Sequence, residues 1–162
     1  MKKSSLIAAT LLLSLTTGFS HANGRSDKLP AAVTVADNDK AAIEKVITAY
    51  RDALKEANVS KVVALYTKDA VLMPPAAPTA VGQQQVKATY EYVFNAIKLD
   101  INFTIDDIVV NGNNAFVRST SKGTATVNAN GQTGPEENRE LFVFQKVGGQ
   151  WKIARYMYNK TK

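Results

Sequence analysis

The chain has 162 residues, a formal net charge of +6, 45% hydrophobic residues, no cysteine and a single histidine, His21. Without thiols it can form no disulfide, no thiol nucleophile and no cysteine-ligated zinc site, and with one imidazole, near the start, it leaves a Ser-His-Asp relay without a base. The lysines are dispersed rather than interleaved with stacking aromatics, so the positive charge reads as a solvated surface and no nucleic-acid partner is expected.

The opening MKKSSLIAATLLLSLTTGFSHA has the layout of a secretory signal peptide: Lys2 and Lys3, an apolar run from Leu6 to Leu15, and Ser20-His21-Ala22 as a small-x-small end. Cleavage near Ala22 predicts an exported protein, periplasmic or secreted, and removes His21; an uncleaved anchor is the alternative. The apolar run falls short of the roughly 20 residues of a membrane span, and no later segment approaches that length. Acid-base work is then left to Asp, Glu, Tyr, Lys or Arg. No acidic run has calcium-loop spacing, and neither a metal nor a cofactor is expected.

Residues 23–38 show no sustained period and read as an arm or linker before one domain over 39–160. From Asp39 onward, Ile43, Val46, Ile47, Tyr50 and Leu54 form one helical stripe, capped by Asp37 or Asp39 and ended near Asn58. Ser60 caps a short second helix, KVVALYT. Ala70 to Met73 is a brief strand stopped by Pro74-Pro75. A third helix runs from Gln83 to Ile97 with Val86, Tyr90, Val93, Phe94 and Ile97 on its buried side.

The rest is strand-like. Ile101, Phe103 and Ile105 alternate with polar residues. Asn111-Gly112-Asn113-Asn114 is turn chemistry before AFVRSTSKGTATV, and residues 128–138 read as a glycine-rich loop; Arg139 with Glu136 and Glu137 reads as its solvated end. ELFVFQKVGGQWKIARYMYN is a hairpin whose Gly148-Gly149 suits a primed two-residue turn. Trp151, Ile153, Arg155 and Met157 share one face of its second strand by simple alternation, with Trp151 packing on a sheet partner or a dimer interface. Helices first and an antiparallel meander after them predict an α+β fold, the helices lying on one face of a curved sheet.

ALYTKDAVLMPP, VGQQQVKATYEYVF and ELFVFQKVGGQWKIARYMYN, in this order and spacing, resemble the nuclear transport factor 2-like superfamily, in its SnoaL-like and ketosteroid-isomerase-like branch. The resemblance covers about residues 39–159. It implies a cone-shaped, cystatin-like α+β barrel with a deep apolar cavity, and a homodimer formed through the sheet. In ketosteroid isomerases a helical tyrosine and a protonated acid stabilise an oxyanion while a second carboxylate moves the proton. The resemblance puts Tyr50 at the tyrosine's place, Glu140 at the protonated acid's and Tyr158 at a cavity-lining aromatic. The proton-moving carboxylate's place is held by Pro74, with Met73 before it, so the resemblance argues against an isomerase of that type.

Glu140, Phe142 and Phe144 share one face of their strand, which leaves Glu140 three readings. It pairs with Arg118 or Arg155 across the sheet, it orients a ligand, or it does acid-base chemistry. The candidate ligand-binding residues are Tyr50, Tyr66, Met73, Arg118, Glu140, Phe142 and Tyr158, with Glu140 and Tyr50 catalytic if the protein is an enzyme. The expected function is binding of a small apolar or aromatic molecule; an isomerase-type enzyme and a dimeric interaction module with a vestigial cavity are the alternatives.

Overall fold

The computed structural model describes residues 34–161; the expected signal peptide and most of the arm lie outside them. The element order is α1 (Val35–Lys55), α2 (Val59–Ala64), β1 (Tyr66–Met73), β2 (Ala80–Val81), α3 (Gly82–Ala96), β3 (Ile97–Asn111), β4 (Asn114–Val127), β5 (Thr133–Val147) and β6 (Gln150–Lys160). The strands make one six-stranded sheet in the order β2-β1-β6-β5-β4-β3. All pairs are antiparallel except β1 with β6, which is parallel. This is the expected α+β architecture, with α1 and α3 packed on the inner face.

Three boundaries differ from the sequence expectation. Thr34, not Asp37 or Asp39, caps α1, in a capping box with Asp37 that extends the helix back into the expected arm. Asn58 caps α2 in place of Ser60, and Tyr66-Thr67 open β1 instead of closing that helix. The expected loop over 128–138 is strand from Thr133 onward. Pro135 is tolerated there because β5 pairs only with β4 at that level, β6 joining from Asn138, so no ladder partner is waiting on the side where its N–H is missing.

Two bulges set which side chains face inward. In β3 the register shifts between Ile105 and Asp107, so Ile101, Phe103 and Ile105 point inward before Asp106 and Ile108 and Val110 point inward after it. In β6 the pairing passes from Val143↔Arg155 to Phe144↔Ile153, leaving Ala154 unpaired. Trp151 and Ile153 are therefore inward with Tyr156 and Tyr158, while Arg155 and Met157 face out; simple alternation placed the last two with Trp151, and the bulge overturns it. Trp151 packs on its sheet partner, the Lys146 ammonium lying over its ring, and its buried indole N–H donates to Asp39 on α1 at 2.9 Å. Gly148 and Gly149 both have positive φ, +56° and +78°, as the primed hairpin turn requires.

Candidate functional site

Between α1, α3 and the inner face of the sheet lies a cavity of about 220 Å³. Its walls are mostly apolar, from Leu54, Leu72, Pro75, Val93, Leu99 and Ile101. For scale, an engineered cavity of about 150 Å³ holds a benzene molecule. Tyr50, Thr89 and Tyr90 bring polar groups from the helices, and the sheet adds three cross-strand rows. Ser119, Glu140 and Tyr158 form one; Ser121, Asn138 and Lys160 the next; Gly123 and Glu136 the third. Below them Val117, Phe142 and Tyr156 continue the ladder as an apolar row, with Phe142 and Tyr156 stacked.

Glu140 is 4% exposed and lines the cavity. Neither arginine reaches it: Arg118 points out and pairs with Asp106 at 2.9 Å, and Arg155 bonds the Asp69 carbonyl at 3.1 Å with Asp69's carboxylate 3.7 Å away. The structural ion pair is thereby overturned. One Glu140 oxygen accepts from Ser119 Oγ at 3.3 Å, and the other, Oε1, has no hydrogen-bond partner. Burial pushes the Glu140 carboxyl up to about 7, against the smaller opposing pull of the Ser121, Ser119 and Tyr156 hydroxyls. Near neutral pH it is divided between acid and carboxylate.

Tyr50 is buried at the centre of an aromatic cluster, in ring contact with Tyr66, Tyr90, Phe103, Phe142 and Tyr156. Its hydroxyl lies 2.6 Å from that of Tyr90, which lies 2.8 Å from that of Tyr66. Desolvation holds all three well above the ordinary tyrosine range, so they are neutral donors and acceptors, not bases. Tyr158 is pushed up to about 12 by its burial.

Of the sequence-expected residues, the fold brings Tyr50, Glu140 and Tyr158 to the cavity wall. Phe142 lies under Tyr156 behind the wall, and Tyr66 acts through Tyr90. Met73 ends β1 on the outward side, and Arg118 is a surface ion pair, so neither takes part. Pro74 follows Met73 without reaching the cavity, where, among the described residues, the lining carboxylates are Glu136 and Glu140. Glu136, expected on a solvated loop, is buried and ion-paired with Lys160 at 3.0 Å. The two stand four residues apart on one strand, about 13 Å along it, too far to share a proton. Tyr156, Tyr90, Asn138, Ser119 and Ser121 were not anticipated. The alternation Glu136, Asn138, Glu140, Phe142 was the available signal, hidden by Gly134-Pro135. Among the described residues no cluster of His, Asp and Glu could hold a metal ion.

The fold and the cavity define a helix-covered cone, and the comparisons agree. The chain belongs to the SnoaL-like domain family, whose model matches residues 47–156. It is similar to a ketosteroid isomerase-like protein from Erwinia carotovora atroseptica, with 38% identity, a TM-score of 0.72, and 75% of this chain and 95% of that chain covered. A nuclear transport factor 2-like superfamily protein from Salmonella enterica serovar Typhimurium superposes with a TM-score of 0.70 at 22% identity, covering 78% and 94%. An NTF2-like protein with a cystatin-like fold from Novosphingobium aromaticivorans gives 0.63 at 14%, covering 80% and 91%. No curated protein matches the sequence.

Proposed function

We propose that the protein is an exported binder of a small neutral molecule, about one substituted ring in size, held between Tyr50, Tyr158 and Glu140. The observation that carries this reading is Glu140: a carboxyl without a cationic partner on the wall of an apolar cavity. A few convergent polar groups in an apolar concavity are the usual composition of a small-molecule site. Native mass spectrometry of the protein purified without detergent from its export compartment tests it. The expected spectrum carries an adduct of defined small mass and a chain beginning after Ala22; an adduct-free spectrum, together with no thermal stabilisation by any single-ring compound at millimolar concentration, refutes binding.

A proton-transfer enzyme is the second reading, favoured by the carboxyl pushed up to about 7, near the optimum for an acid-base group. Against it stands the strand end where the resemblance places a proton-moving carboxylate, occupied here by Met73 and Pro74. Exchange of the α-protons of cyclohexanone in D2O, followed by proton NMR, decides: no acceleration over Glu140→Gln removes the enzyme reading.

The outer face of the sheet supports a homodimer. Val109 pairs with Phe116 and Leu141 with Met157 across neighbouring strands, and all four are exposed. Exposed apolar side chains gathered on one sheet face favour a partner over water. Sedimentation at micromolar concentration should give a dimer, and Phe116→Glu a monomer; a monomeric parent protein ends this part of the proposal.

A further inference from the structure

Glu140 is one of two cavity-lining groups on β5 whose hydrogen-bonding capacity the fold leaves unspent. Asn138, two residues earlier on the same inward face, is 4% exposed, and its Oδ1 has no partner. Its amide orientation follows from its neighbours: Nδ2 lies 3.2 Å from Glu136 Oε1 and 3.3 Å from Ser121 Oγ. A carboxylate only accepts, so the NH2 must face Glu136, and the carbonyl oxygen is the atom left over. Glu136 is itself held by Lys160, which fixes this arrangement from behind. A buried acceptor without a donor costs about 1–3 kcal/mol, and here two such atoms belong to side chains that line one cavity, where an entering molecule could complete both.

The two groups differ in sense. Asn138 Oδ1 only accepts. Glu140, with Oε2 already accepting from Ser119, offers its protonated form as a donor from the free oxygen. Side chains two apart on a strand start about 7 Å from each other, a span bridged by two substituents in a 1,3 relation on a six-membered ring. We propose that the cavity selects a neutral ring carrying one hydrogen-bond donor and one acceptor in a 1,3 relation, the donor taken by Asn138 Oδ1 and the acceptor served by Glu140. Asn138 is thus a specificity-determining residue. The proposal rests on the binding reading above and adds to it the polarity pattern of the ligand.

The test uses three compounds of nearly equal shape at pH 6 with the folded protein: 3-hydroxybenzonitrile, 3-methoxybenzonitrile, which lacks the donor, and 3-ethynylphenol, which replaces the acceptor nitrogen with C–H. Dissociation constants come from protein-observed NMR titration. The expected result is a preference of about tenfold for 3-hydroxybenzonitrile over each of the others, the size of one buried hydrogen bond. Asn138→Leu should erase the preference over the methoxy compound and keep that over the alkyne. Equal affinities for all three in the unaltered protein overturn the proposal while leaving cavity binding intact. If none binds, the binding reading itself falls and this inference with it. The ratios in the unaltered protein decide without the variant, should Asn138→Leu fail to fold.

Discussion

The hydroxyl of Tyr90 sits between those of Tyr50 and Tyr66, 2.6 Å from one and 2.8 Å from the other, so one α3 side chain joins α1 to β1 through a buried polar relay. Removing the middle of such a chain strands both ends. Tyr90→Phe should cost about 2–4 kcal/mol, because two buried hydroxyls lose their partner. Tyr66→Phe, which removes an end, should cost roughly half of that. Urea denaturation of the two variants checks the order; equal losses would mean that the relay is not cooperative.

Glu140 makes stability fall as pH rises. Its folded-state carboxyl is raised from the ordinary 4.5 to about 7, so the neutral acid is the form the fold prefers. Its favourable contribution is complete below about pH 4.5, declines through 7 and is gone above it, a difference on the order of 3 kcal/mol. Glu140→Gln keeps the shape and removes the titration. Unfolding free energies at pH 5.5 and 8.5 should differ less in Glu140→Gln than in the parent; an unchanged pH slope would place the carboxyl in contact with water.

Asp39 ties the start of α1 to the closing hairpin, accepting from Trp151 Nε1 and pairing with Lys146, whose ammonium lies 5.3 Å from the centre of the indole ring. These hydrogen bonds hold its carboxyl below the usual range, so this contribution is present above the ordinary carboxylate pKa and is lost as acid is added. Asp39→Ala leaves a buried indole N–H unpaired and should lower the melting temperature. The chain has one tryptophan, so its fluorescence reports the change directly. An unshifted emission maximum would show that water replaces the carboxylate.

At Gly123, β4 passes so close to β3 that a Cβ would stand 2.0 Å from the Asp100 carbonyl oxygen and 2.7 Å from Ile101 Cα. Both obstacles are backbone, so no side chain can move aside. Gly123→Ala should destabilise by more than about 3 kcal/mol. A melting temperature within two or three degrees of the parent would show that the two strands can separate locally.

The helices and most strands were legible because their apolar spacing reports directly on which side meets the core. Tyr50 and Glu140 were legible for the same reason, helped by the family resemblance. What sequence could not supply was parity across a bulge: nothing in KIARYMY marks Ala154 as the unpaired residue, and without it Tyr156 falls on the wrong side. The fate of Glu140 was equally hidden, since whether Arg118 meets it depends on the β4–β5 register, which sets Ser119 opposite Glu140 and turns Arg118 out to Asp106 on β3. Asn138 was lost because Gly134-Pro135 imitates a loop. The ladder shows instead a strand that has only one neighbour at that level.

Glu140 and Asn138 stand on β5, hydrogen-bonded at their own level to β4 on one side and β6 on the other, while the opposite wall belongs to α3 and the segment after β1. The two sides of the cavity therefore differ in how easily they open. Amides of β5 around these residues should exchange with deuterium only when the whole sheet comes apart, whereas those of Ala76, Ala77 and Thr79, outside any ladder, exchange early. On the binding function proposed above, passage of a molecule in or out then belongs to the helical wall. The polar groups that would recognise it stay fixed throughout, and residence time can be tuned on one side of the protein without disturbing selectivity on the other.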